Sequence, residues 1–247
     1  MPIEYLVLVC MTFVLGGIFK GATGVGAPLV AIPTMAILVD VPYAVAVFLI
    51  PNIISNAWQT WQFRRHRPEG HFAWKLAIPG TIGAGIGTLA LAKFSGAALM
   101  NAVAILILLF VVFRLRNPKW SLSWPTANWL AVPVGALGGF FQGSTGLSAP
   151  VALTFMSSVN LRHEEFIFSM SLFFFMMTLV QIPAQIVLGI LNWERVAYGA
   201  AAVVPLLLGM FLGGVLGKKL PKSAFDMAII AILTLLALRL LASNFFA

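Results

Sequence analysis

Two stretches of small and polar residues hold the side chains most able to bind a ligand. Residues 16–28 combine glycines with Lys20 and Thr23, and residues 138–150 repeat this pattern with Gln142 in place of the lysine. Ammonium, hydroxyl, amide and free backbone N–H groups all donate hydrogen bonds, and positive charge attracts anions. This combination predicts a site for a small anion.

The two stretches belong to an internal repeat. At an offset of 122 residues, eight of the thirteen positions are identical, and in the first copy they are Gly16, Gly17, Phe19, Gly21, Thr23, Gly24, Ala27 and Pro28. The same offset relates Gln59 to Gln181. A slightly larger offset of 126 relates Pro79, Gly83 and Gly87 to Pro205, Gly209 and Gly213. We therefore predict two membrane repeats, residues 1–120 and 121–247, within a single membrane domain.

The elements that position these stretches are predicted to be membrane helices. The chain is 61% hydrophobic and 9% charged, whereas about 25% of residues are charged in soluble domains. A spanning helix needs roughly 20 apolar residues. Long apolar runs cover residues 3–19, 42–63, 74–92, 97–113, 124–141, 166–191, 196–216 and 225–242, and two short ones cover 28–39 and 150–159. The fold class is an all-α integral membrane protein.

The basic residues favour one topology. If residues 3–39 and 124–159 each enter and leave the membrane on one side as a broken hairpin, three connector cations fall outside, namely Lys93, Arg195 and Arg239. If all eight long runs span, five fall outside, which the positive-inside rule disfavours. Each repeat is then a broken hairpin plus three transmembrane helices. The repeats are inverted and both termini are extracytoplasmic.

The glycine-rich breaks are predicted to begin two short helices inside the membrane. Gly24 and Gly26 can adopt positive φ, and Pro28 and Pro150 suit the first helical turn. Helix N-termini attract anions, and in transporters with broken helices they point at the substrate. We expect the two starts to face each other. The candidate substrate-binding residues here are Lys20, Gly21, Ala22, Thr23, Gly24, Gly26, Gln142, Gly143, Ser144, Thr145, Gly146 and Ser148.

Small residues also let membrane helices pack closely. We favour this packing role for the glycines spaced every fourth residue, which are Gly83, Gly87, Gly209, Gly213 and Gly217. Close helix packing is also the alternative interpretation of the two glycine-rich breaks. Lys20 could instead extend toward a membrane interface.

Two polar stripes lie on predicted helices. The second long run carries Asn52, Ser55, Asn56 and Gln59 on one face, and the sixth carries Thr178, Gln181 and Gln185. Neither stripe should face lipid. They could join helices by hydrogen bonds or line a pathway, and the correspondence of two glutamines favours the pathway. Asn52, Asn56, Gln59 and Gln181 are therefore further candidate substrate-binding residues.

Several functions are disfavoured. All carboxylates and histidines lie in connectors or near run ends, the chain has one cysteine, Cys10, and no metal or nucleotide-binding motif occurs. We expect no cofactor, no metal and no enzymatic activity. Basic clusters between apolar runs orient a membrane protein, so nucleic acid is not an expected partner. With no buried carboxylate for proton coupling, efflux assisted by the membrane potential is the favoured mechanism.

The doubled Gly-Gly-x-Phe-x-Gly-x-Thr-Gly-x-x-Ala-Pro signature resembles the TauE/SafE family of sulfite and organosulfonate exporters, over nearly the whole chain. The resemblance implies a bacterial or archaeal inner-membrane protein that exports sulfite, sulfoacetate or a related sulfonate, with the paired motifs as its site. The second copy departs from the signature at Gln142 and Ser148, which replace a lysine and a glycine of the first.

The alternatives are an anion channel, a transporter for a carboxylate or another oxyanion, and a structural membrane subunit. The expected partners are a small anionic substrate and the lipid bilayer. Faces of small residues would also permit a homo-oligomer.

Overall fold

The structure is a computed structural model that describes residues 3–117, 120–217 and the single positions 227, 231, 234 and 238. This part of the chain forms helices and no β-strand. The helices are α1 (Ile3–Thr23), α2 (Ala27–Leu38), α3 (Val41–Gln62), α4 (Phe72–Lys93), α5 (Gly96–Arg116), α6 (Trp124–Thr145), α7 (Ala149–Ser158), α8 (His163–Val187) and α9 (Trp193–Leu216). The predicted all-helical class is confirmed. The predicted run 225–242 lies almost wholly outside the described residues.

The length and composition of the helices fit a multi-pass membrane protein. Five of them, α3, α4, α5, α8 and α9, are long and apolar enough to cross a bilayer. Their outward faces carry large apolar side chains, and Ile82 on α4 and Phe211 on α9 are 63% and 73% exposed. Such apolar surface is rare on soluble monomers and is expected where helices contact lipid tails.

Local chemistry fixes where several helices begin. The Asp40 carboxylate accepts a hydrogen bond of 2.6 Å from the Tyr43 backbone N–H at the start of α3. The side chains of Ser95 and Asn192 accept equivalent bonds at the starts of α5 and α9. Short polar side chains are preferred at these positions because the first N–H groups of a helix have no partner within it.

The helices α1 and α2, and likewise α6 and α7, form hairpins around the glycine-rich breaks. Gly16 of α1 lies against Ala27 at the start of α2, so the chain turns back along α1. In the second hairpin the Leu122 backbone N–H donates a hydrogen bond of 2.8 Å to the Ser158 carbonyl oxygen. The chain therefore returns at the end of α7 to the point where α6 began.

Two glycine-lined seams join the halves. Along α4 and α6, a methyl group added to Gly139 would overlap the Gly80 carbonyl, and one added to Gly83 would overlap the Ala136 carbonyl. Along α1 and α9, Gly209 has the same relation to the Val14 carbonyl. The packing role predicted for the regularly spaced glycines is confirmed at Gly83, Gly87, Gly209, Gly213 and Gly217.

The helices α3 and α8 cross the centre of the molecule in opposite directions. Asn52 of α3 is hydrogen-bonded to Thr178 of α8. Further along α3, Gln59 is bonded to Ser171, which comes earlier in α8. Their polar stripes thus face each other inside the protein, which confirms that neither faces lipid.

Candidate anion site

Both breaks contain glycines in the left-handed region, as predicted for Gly24 and Gly26 at the first break. Gly24 and Gly26 adopt φ values of 83° and 124°, and Gly146 adopts 74°. Only glycine enters this region at little steric cost. Pro28 and Pro150 lie in the first turns of α2 and α7, as predicted.

The breaks lie at opposite ends of the α3 and α8 pair. A Cβ on Gly24 would meet Ile167 near the start of α8, and one on Gly146 would meet Val45 near the start of α3. The second break also meets α2, because a Cβ on Gly146 would contact the Ile32 side chain, five residues after α2 begins. The expectation that the two helix starts face one anion stays a prediction.

The Lys20 side chain is buried between the two halves. It is 2% exposed, and its Nζ atom donates a hydrogen bond of 2.7 Å to Asn56 Oδ1. The ammonium also lies 5.9 Å from the centre of the Phe174 ring, at the middle of α8. The interpretation in which Lys20 extends to a membrane interface is therefore wrong.

The Lys20 charge has no acidic partner within the described part of the chain. The one Lys or Arg to carboxylate ion pair found there joins Arg162 to Glu165 at the surface. Taking an ammonium out of water costs several kcal/mol unless another charge compensates for it. The site therefore has positive charge available for an anion.

A chain of amide groups extends from Lys20 across the α3 and α8 interface. Asn56 Nδ2 donates to Asn52 Oδ1 at 2.7 Å, and Asn52 Nδ2 donates to the Thr178 hydroxyl at 2.8 Å. Each of these side chains is at most 2% exposed. They connect the two halves and hold the amide oxygen of Asn56 toward Lys20.

The two equivalent glutamines lie on either side of this centre. Gln59 Oε1 accepts a bond of 3.1 Å from the Ser171 hydroxyl. Gln181 Nε2 donates a bond of 3.2 Å to the Gln142 backbone carbonyl, near the end of α6. Both glutamines are buried, so together with the central amides they form a polar layer within the apolar bundle.

The second break differs chemically from the first. Gln142 occupies the position equivalent to Lys20, and its Oε1 atom accepts hydrogen bonds from the backbone N–H and the hydroxyl of Ser148, at 3.2 and 3.0 Å. Ser148 is the residue just before α7. At the second break Gln142 and Ser148 bond to each other, whereas at the first break Lys20 reaches Asn56 in the centre of the molecule.

The hydroxyl groups at the breaks are bonded within the protein. Thr23, Ser144 and Thr145 each donate to the backbone carbonyl four residues earlier, at 2.8 to 2.9 Å. A ligand would have to displace these internal bonds. These hydroxyls are therefore weaker candidate donors than their composition suggested.

Several small candidate residues lie in the seams between helices. A methyl group added to Gly21 would overlap the Met210 carbonyl, and one added to Gly143 would overlap the Ala84 carbonyl. Ala22 lies against Gly217. Close helix packing accounts for the small size of these three residues.

Sequence reasoning did not identify Ser171 and Phe174 as members of this layer. Ser171 is seven residues before Thr178 and shares its helix face. Extending the polar stripe by two turns would have found it. No sequence signal marks Phe174, because its place beside Lys20 depends on how α1 packs against α8.

Comparison with known proteins gives one finding. A family model described as "Sulfite exporter TauE/SafE" matches residues 9–240. No curated protein and no solved structure matches the chain.

Proposed function

Because this chain belongs to the TauE/SafE sulfite exporter family, we propose that it carries a small sulfur-containing anion across the membrane and binds it at Lys20. The family consists of transporters, so the protein is not an enzyme. The proposed substrates are sulfite and organosulfonates such as sulfoacetate. The proposed location is a bacterial or archaeal inner membrane.

The observation that carries this proposal is the buried Lys20 ammonium, which lies near the middle of α8 and has an amide oxygen as its hydrogen-bond partner. A mobile oxyanion would supply the missing negative charge. The start of α2 adds to the attraction, because Gly26 lies close to the Lys20 backbone N–H and helix N-termini are partly positive. The anion site is therefore assigned to the first break and the central polar layer.

The side chains of this site have different roles. Lys20 supplies the charge, Asn56 holds the ammonium in place, and Asn52 and Thr178 fix the orientation of Asn56. Gln59 is the next amide along α3 after Asn56, and it bonds to Ser171 in the first half of α8. These residues lie on α1 and α3 of the first half and on α8 of the second half, so the proposed site lies between the two halves.

The packing of the helices supports inverted repeats. The 122-residue offset relates α3 to α8, and these helices run antiparallel. The seam contacts are also duplicated, since Gly21 meets the Met210 carbonyl as Gly143 meets the Ala84 carbonyl. Inverted repeats with a substrate site between them are a common plan of secondary transporters. With basic connectors inside, both termini lie outside.

Export is the proposed direction. With a negative interior, moving one negative charge outward gains about 2.3 kcal/mol per 100 mV. No coupling ion is then required. Sulfite efflux should accelerate when the compartment that contains it is made negative, and accumulation that depends strictly on protons or sodium would overturn this direction.

Efflux from proteoliposomes tests the function itself. Vesicles that contain the protein should release sulfite with saturable kinetics, and Lys20→Met should abolish this release. Lys75→Met is the matched control, because Lys75 is exposed and also bonds to an asparagine, Asn128. Equal rates in Lys20→Met and wild type would refute the site, and currents of single channels would indicate a pore instead.

A further inference from the structure

Two glutamines on α8 have side-chain atoms without hydrogen-bond partners in the part of the chain that the structure describes. Gln185 is fully buried, yet neither its Nε2 nor its Oε1 atom has a hydrogen-bond partner among the described residues. The same holds for Oε1 of Gln181, one helical turn earlier. A buried polar group without a partner destabilises the fold, because it has given up its hydrogen bonds to water. Such groups usually have a ligand, a water molecule or another partner that satisfies them.

The orientation of the Gln181 amide is fixed by its neighbour. Its Nε2 atom donates to the Gln142 backbone carbonyl, and a carbonyl oxygen can only accept hydrogen bonds. The unpaired Oε1 atom of Gln181 is therefore an acceptor. Gln185 offers both a donor and an acceptor in either orientation of its amide.

These atoms lie apart from Lys20 and close to the second break. Gln185 follows Phe174 by eleven residues, which is about 16 Å along a helix. Gln181 contacts Gln142, whose side chain bonds to Ser148 just before α7. A small anion held by Lys20 cannot reach Gln185, so these amides would bind an anion at another point of its passage.

We propose that Gln181 and Gln185, beside the start of α7, form a second binding position for an anion that itself carries a hydrogen-bond donor. The hydroxyl group that carries the donor would bond to both amides: its hydrogen would bond to Gln181 Oε1, and its oxygen would accept from Gln185 Nε2. The partly positive start of α7 would replace the lysine of the first position. A protonated inorganic oxyanion and a hydroxyalkanesulfonate both fit this chemistry, whereas an anion that only accepts hydrogen bonds does not.

The inference rests on the proposed transport function. A matched pair of probes tests the second binding position separately from transport itself. Ethanesulfonate and 2-hydroxyethanesulfonate differ by one hydroxyl group. Wild-type proteoliposomes should release the hydroxylated anion about five times faster, the factor that one hydrogen bond of about 1 kcal/mol provides. In Gln185→Met this ratio should fall toward one, because the hydroxyl oxygen loses its donor, while ethanesulfonate, which has no hydroxyl group, leaves at an unchanged rate.

A second arm tests the inorganic source. Sulfite efflux is measured across the pH range in which sulfite takes up its first proton. Wild-type protein should prefer the protonated form and Gln185→Met should not. If only the hydroxylated sulfonate is preferred over its partner, the anion that carries the donor is an organosulfonate. If only protonated sulfite is preferred over the unprotonated form, it is the protonated oxyanion.

Ser169→Ala is the matched control, because Ser169 is buried on the same helix and donates to the Glu165 carbonyl. It should keep both preferences. Gln185→Met should melt no lower than wild type, since it removes atoms that have no partner among residues 3–117 and 120–217. Transport without either preference, or preferences that survive Gln185→Met, would overturn the second position and leave the Lys20 site intact. Absence of all transport would refute the proposed function as well.

Discussion

A single buried lysine dominates the chemistry of this protein. Lys20 would be costly in the interior if its charge were never compensated, and its amide partner Asn56 supplies only a dipole. This arrangement leaves the cation able to exchange an anionic partner. A permanent carboxylate in the same place would hold the ammonium in an ion pair.

That reasoning gives a prediction at the residue scale. Asn56→Asp should abolish sulfite binding and efflux, because the new carboxylate pairs with Lys20 and competes with the anion. The variant should still fold, because the ion pair with Lys20 offsets the hydrogen bonds that Asn56 Nδ2 donates to Asn52 in the wild type. Binding is measured by titration of the purified protein, and folding by its melting temperature.

A second lysine and asparagine pair provides the control. Lys75 Nζ bonds to Asn128 Oδ1 at the surface, at 3.1 Å. Asn128→Asp should therefore leave sulfite transport unchanged, because exposed ion pairs contribute little. Undiminished sulfite affinity in Asn56→Asp would show that Lys20 does not bind the substrate.

At the scale of the helices, close packing between the halves depends on glycine. The seams of α4 with α6 and of α1 with α9 bring backbones together where any side chain would collide with a carbonyl group. Association of helices in lipid relies on such packing because lipid tails remove the hydrophobic driving force. The seams thus stabilise the bundle around the polar layer.

Gly139→Ala should separate α6 from α4 and lower the stability by about 1–3 kcal/mol, the usual cost of overpacking. Gly209→Ala should have a similar effect on the other seam. The control is Gly214→Ala, since a methyl group there meets open space. Melting temperatures in detergent report the result, and equal values for all three variants would contradict the importance of the seams.

At the scale of the whole molecule, the two halves interlock. Each break packs into the other half, since Val25 joins a cluster with Phe155 and Met156, and Leu147 joins a cluster with Ile32 and Val45. The antiparallel α3 and α8 complete this exchange. Inverted repeats require that the connectors after these two helices lie on opposite sides of the membrane.

Cysteine accessibility in cells tests this requirement. In a Cys10→Ser background, Arg65→Cys after α3 should react only with reagents that reach the cytoplasm. Trp193→Cys after α8 should react with reagents that cannot cross the membrane. Both positions are exposed. Labelling of both from one side would mean that the repeats are parallel.

The sequence alone predicted the features that depend on local chemistry. Apolar runs of sufficient length located the helices of the described residues, with ends that differ from the observed bounds by up to four residues, because backbone groups in lipid must bond within their own segment. Gly24 and Gly26 were predicted to adopt positive φ because glycine lacks a Cβ atom. The repeat was visible because identical residues recur at a constant spacing.

Only the tertiary structure decided which groups meet. That Lys20 bonds to Asn56 and lies beside Phe174, 36 and 154 positions further along the chain, depends on the register between α1, α3 and α8. Periodicity assigns a residue to a face of its helix, but the packing of many side chains sets the depth and partner of that face.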